Sequence, residues 1–157
     1  MRRRATLAAI AALALLLTVS LSAVSAAGLQ AGVFRLTLTG NQEATATCAP
    51  PTVCGDPDAV AEMILIVNPA RDSVCFLTRW TNIDGTVVAA HIHLAPVGVP
   101  GAVVVPLFSG SFGSTDKVRG CVPANGLAAA ILANPSAYYV NIHSTVYPAG
   151  AVRTQLG

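Results

Sequence analysis

Residues 87–94 read VVAAHIHL and residues 138–144 read YYVNIHS. Both stretches alternate, and alternation with period two is the mark of a strand with one face buried. On a strand, side chains two apart project to the same side. His91 and His93 therefore share a face and Ile92 points the other way. In the second stretch Tyr139, Asn141 and His143 share one face, while Val140 and Ile142 share the other. If the two strands are neighbours, their isoleucines enter one core and three imidazoles gather on the opposite wall.

The same period recurs along the chain. Val33–Thr39 alternates Phe34, Leu36 and Leu38 with Arg35, Thr37 and Thr39. Ala59–Val67 and Ser73–Trp80 flank Asn68-Pro69 and Arg71-Asp72, which predicts a hairpin. Val103–Leu107, Lys117–Val122 and Gly150–Leu156 complete the set, the last forming a hairpin with Tyr138–Ser144 around Pro148-Ala149-Gly150. One helix is expected over Leu127–Leu132, with Asn125 as its cap and Asn134-Pro135 as its stop. Seven or eight short strands and one short helix predict an all-β sandwich or barrel.

The chain has 157 residues, 54% of them hydrophobic and 10% charged, which fits one domain and excludes disorder. Three of its nine basic residues are Arg2, Arg3 and Arg4; the remaining six face seven acids. Read along the chain, no basic patch is left for nucleic acid. The MRRR start, the apolar run Ala5–Leu21 and the small-residue stretch SAVSAAG form the three parts of an export signal. Residues 1–27 are expected to be removed after Ala26 or Ala27, the alternative being that the segment stays as a membrane anchor. Residues 28–157 then form one secreted domain with no membrane segment.

All four cysteines lie in that domain, and an even count in an exported chain reads as disulfides. Cys48 with Cys54 closes a short Pro-bearing loop, and Cys75 with Cys121 joins two strand-like segments. A cysteine zinc site is the rival reading, but no CxxC spacing accompanies it.

Catalytic signatures are scarce. There is no G-x-S-x-G elbow, no phosphate-cradling GxxxxGK[ST] loop and no GxGxxG. No catalytic residue is assigned. The polar residues that need explaining are His91, His93, His143, Asn141, Glu43 and Arg153. Glu43 and Arg153 are expected to form a structural ion pair at a sheet edge. For the histidines two readings stand. They could bond to backbone and neighbouring side chains and organise one end of the fold, with no cofactor. Alternatively, two imidazoles at i and i+2 with a third from another strand could hold Cu or Zn.

The order of segments resembles the CHRD domain, the module named after chordin. FRLTLTGNQEA, AAHIHLAPVGVPGAVVVPL, LAAAILANPSAYYVNIHS and YPAGAVRTQL carry the resemblance, in family order, from Val33 to Leu156. Thr154 replaces a glycine common in the last motif, and the Cys48–Cys54 insert is a second departure. The resemblance implies an immunoglobulin-like or superoxide-dismutase-like β-sandwich outside the cell. The expectation is thus a secreted, non-enzymatic binding or structural module, its partner an extracellular ligand or cell-surface component. The alternative is a metal-binding, redox-capable protein.

Overall fold

The computed structural model describes residues 30–48 and 52–157. The expected export segment, residues 1–27, lies outside the described residues. Eight strands follow in chain order: β1 (Gly32–Thr39), β2 (Val60–Asn68), β3 (Ser73–Thr81), β4 (Val87–Leu94), β5 (Ala102–Ser109), β6 (Lys117–Pro123), β7 (Tyr138–Ser144) and β8 (Val152–Gln155). Every pairing is antiparallel, and the order is β5-β4-β7-β8-β1-β2-β3-β6.

The all-β class is as expected. The two layers are halves of a single sheet that curls into a near-barrel. One half is β5-β4-β7-β8 and the other is β1-β2-β3-β6. They meet at a seam where β1 and β8 share the single register pair Thr39–Arg153. β8 is four residues long, so it bridges the halves without flattening them.

The inward-facing side chains fill the space between the halves. Met63, Leu65, Val74, Phe76 and Trp80 come from β2 and β3; Ile92, Val105, Leu107, Val140 and Ile142 come from β4, β5 and β7. Burying each such side chain contributes roughly 1.5–3 kcal/mol before conformational entropy is counted. Cys75 and Cys121 are register partners on β3 and β6, and they stand at disulfide distance, as do Cys48 and Cys54.

The short helix α1 runs Ala128–Ala133, one residue later than expected. Asn125 does not cap it. It takes a left-handed φ of 55° and donates its side-chain amide to the Val104 carbonyl. The exposed backbone N–H groups are met from another element. Asp72, at the tip of the β2–β3 hairpin, accepts from Gly126 N at 2.6 Å and Ala128 N at 3.4 Å. A carboxylate there also suits the positive end of the helix.

Candidate functional site

β4 and β7 pair in the register that alternation predicts. Ala90 and Ile92 stand opposite Ile142 and Val140 on the core side. On the other side His91 faces Asn141, Ala89 faces His143 and His93 faces Tyr139. β8 extends the wall, with Arg153 opposite Asn141 and Gln155 opposite Tyr139. The β4–β5 ladder slips between Ala90 and His91 and again between Ile92 and His93. Such irregularities re-aim side chains, and here one immediately precedes each histidine of β4.

Three imidazoles converge on this wall. One ring nitrogen from each of His91, His93 and His143 lies within 4.8 Å of the others. His91 Nδ1 and His143 Nε2 are 3.1 Å apart. His143 Nδ1 is 3.0 Å from the Pro148 carbonyl, and His93 Nδ1 is 2.9 Å from the Gly101 carbonyl. A carbonyl can only accept, so Nδ1 of His143 and of His93 carries the proton and their Nε2 atoms present lone pairs; His143 Nε2 accepts its hydrogen bond from His91 Nδ1–H. His93 Nε2 is buried and has no hydrogen-bond partner.

Two of the rings bond separate backbone carbonyls while nitrogens of all three lie within 4.8 Å of one another, because imidazole has two nitrogens. A backbone carbonyl on Nδ1–H is the usual outer support of a metal-ligating histidine. Two nitrogens bound to one tetrahedral ion at about 2.0–2.1 Å stand roughly 3.3 Å apart, close to the His91–His143 spacing. Electrostatics favour the neutral form that ligation needs. Burial, then the neighbouring His143 and His93, pushes His91 down to about 4. Burial also lowers His93 and His143.

A second layer holds the first. The Tyr139 ring lies nearly parallel to His93, with centroids 4.6 Å apart. Arg153 covers the same tyrosine, its guanidinium carbon 3.4 Å from the ring centroid. Arg153 also donates to the Pro96 and Val99 carbonyls at 3.0 and 3.1 Å. Gly101 N donates to the Tyr139 hydroxyl, and Gln155 Nε2 donates to the Ala95 carbonyl at 2.8 Å. The loop 95–101 is thereby tied over the histidines by its own backbone groups.

Glu43 and Arg153 are both buried, at 0% and 1% exposure, and both border the cluster. Neither sits at a sheet edge, because β8 lies inside the strand order. The hydrogen bonds of Arg153 go to the loop carbonyls and Gln155. Glu43 Oε1 accepts from Ala44 N at 3.0 Å. Its Oε2 has no partner. The two charges act on one another through space: burial raises Glu43 to about 6, against the Ala44 N–H, Arg153 and Asn141. Asn141 bears on both Glu43 and His93.

The structure adds Tyr139 and Gln155 to the candidate residues. Tyr139 shares the period-two face of Asn141 and His143, which is a legible signal. Asp56, in the loop before β2, is fully buried and accepts from Asp84 N at 2.7 Å; nothing in its sequence neighbourhood marks that burial. The cysteines lie apart from the histidines as two bonded pairs, so none is a ligand.

An all-β body with a three-histidine wall and two cysteine pairs is a small module of extracellular type. The family model of the CHRD domain matches residues 34–156. The chain belongs to the CHRD domain family. No curated protein matches it, and no solved structure matches it.

Proposed function

We propose that this protein is an exported, single-domain binding module whose ligand at the histidine wall is one divalent transition-metal ion, Zn²⁺ or Cu²⁺. The observation that carries the reading is the buried Nε2 of His93, which has no hydrogen-bond partner, within a set of three imidazoles whose ring nitrogens lie within 4.8 Å of one another. A bare buried lone pair costs free energy unless something fills it. Three neutral imidazoles suit zinc and copper alike. His91 is half-buried while His93 and His143 are buried, and all three would hold the ion. No catalytic role is assigned to the site. The export signal and the disulfide pairs support a place outside the cytoplasm.

The test is metal titration of untagged, chelator-treated protein by calorimetry, followed by metal analysis. Binding of one ion per chain at micromolar or tighter affinity is expected, with His93→Ala and His143→Ala each abolishing it. If added Zn²⁺ and Cu²⁺ both fail to bind, the metal reading is wrong. The histidines would then be clips that hold the 95–101 and 145–150 loops.

A further inference from the structure

The half of the sheet formed by β1, β2, β3 and β6 turns an outward face to solvent, and register decides what stands together there. One row across the four strands is Arg35, Ile64, Leu77 and Arg119. The row beside it supplies Arg79 and Lys117 with Glu62, and the row on the other side supplies Val33 and Ile66. Of the six Lys and Arg residues after the export segment, four therefore share one face. Of the seven carboxylates, Glu62 alone stands among them, with Asp116 at the rim. Glu62 already accepts the Thr37 hydroxyl at 3.1 Å.

The apolar side chains between these cations are open: Val33 is 58%, Leu77 44% and Ile66 41% exposed. Leu77 lies in shallow depressions whose rims carry Arg35 and Arg79 on one side and Lys117 and Arg119 on the other. A further depression, lined by Ile64, Ile66 and Leu77, is apolar. Lys117 and Arg119 on an edge strand also guard against edge-to-edge pairing. Arg35 and Arg79 lie on interior strands, where that defence has no use.

We propose that this face docks the protein on an anionic lipid surface. The cations take phosphate-bearing headgroups, and Val33, Ile66 and Leu77 enter the interface between them. Charge complementarity selects the sign of the partner. The exposed aliphatic side chains select a surface that is also apolar beneath its charge. A purely polar polyanion would leave them in water. The sequence expectation of no basic patch follows from reading charges in chain order; strand pairing gathers what the chain scatters.

Residues 28–157, which carry every described strand, are co-sedimented with vesicles of phosphatidylcholine and of phosphatidylglycerol mixed with phosphatidylcholine. Binding to the anionic vesicles alone, weakening as salt rises, is expected. Arg35→Gln and Arg79→Gln should each lower partitioning about fivefold. Leu77→Ser should lower it in a way that salt does not mimic, while Arg71→Gln, at an exposed cation off this face, should not lower it. All four positions are exposed, and an unchanged melting curve verifies each fold. Equal binding to neutral vesicles, or none to anionic ones, overturns the proposal. So does binding to soluble polyglutamate that equals vesicle binding and ignores Leu77→Ser, which would make the partner an acidic polymer.

Discussion

Tyr139 is flanked by Arg153, whose guanidinium carbon is 3.4 Å from its ring centroid, and by His93, stacked at 4.6 Å. A buried cation, a phenol ring and an imidazole thus form one stack from β8 through β7 to β4. The planar guanidinium suits this place, because it can lie on a ring and still direct N–H groups in its plane to two carbonyls.

Arg153→Lys keeps the charge and loses both the stack and the forked bonding. A destabilisation of about 2–3 kcal/mol is expected. Arg153→Ala also strands the Pro96 and Val99 carbonyls and leaves Glu43 buried without a compensating cation, for about 3–5 kcal/mol. Urea denaturation of chelator-treated protein measures both. A Lys variant as stable as the parent would mean that the stack contributes nothing.

Stability of the metal-free protein should rise with pH through the acid range. The folded-state values of the three histidines lie below their ordinary value of 6.5, with His91 at about 4. Between about pH 4 and 6.5 the unfolded chain therefore binds more protons at these sites, and stability is lost as pH falls. Glu43 acts oppositely. Its value is raised from 4.5 to about 6, so its contribution is fully present below 4.5 and lost as pH rises through 6. The fall of His91 from 6.5 to about 4 exceeds the rise of Glu43 from 4.5 to about 6, and His93 and His143 add to it, while Asp56, also raised by burial, acts as Glu43 does. Glu43→Gln should steepen the rise, and His91→Asn should flatten it. Denaturation midpoints at a series of pH values check the sign.

Two glycines separate backbone strain from steric clash. Gly98 has φ 73° and open space where a Cβ would stand. Gly150 has φ 143°, and a Cβ there would run into the Glu43 carboxylate. Gly98→Ala should cost about 1 kcal/mol, and Gly150→Ala about 3 kcal/mol, since overpacking adds to the strain. Equal losses in denaturant titrations would show that Glu43 yields freely.

The two disulfides close loops of unequal length. Cys75 and Cys121 are separated by 46 positions and Cys48 and Cys54 by 6. On chain entropy alone, replacing the first pair by serine should cost about 4 kcal/mol and the second about 2 kcal/mol. Comparing the two double-serine variants by urea denaturation tests that order.

Strands were legible because their pattern is local: the faces of His91, Ile92, Asn141 and His143 follow from counting by twos. The neighbourhood of Arg153 was not legible. Its partners are the carbonyls of Pro96 and Val99, and every residue has a carbonyl. The same holds for the Gly101 and Pro148 carbonyls that set the tautomers of His93 and His143. Glu43 and Arg153 both border the cluster, but the expected ion pair is not formed among the described residues: Arg153 bonds the Pro96 and Val99 carbonyls and Glu43 bonds Ala44 N. Sequence suggested their proximity, but the edge position assumed that the last strand closes the sheet from outside. Asp72 as the cap of α1 was hidden for a similar reason, since it arrives from a hairpin more than fifty residues earlier.

The seam at Thr39–Arg153 has a consequence for how the molecule comes into being. Arg153 belongs to the strand added last in chain order, yet it both joins the two halves and braces the ring behind His93. The β1–β2–β3 meander is built from pairings local in sequence, whereas the histidine wall is braced only once β8 reaches β1 and β7. Bracing of the wall is therefore a long-range event, set by the docking of β8 against β1 and β7.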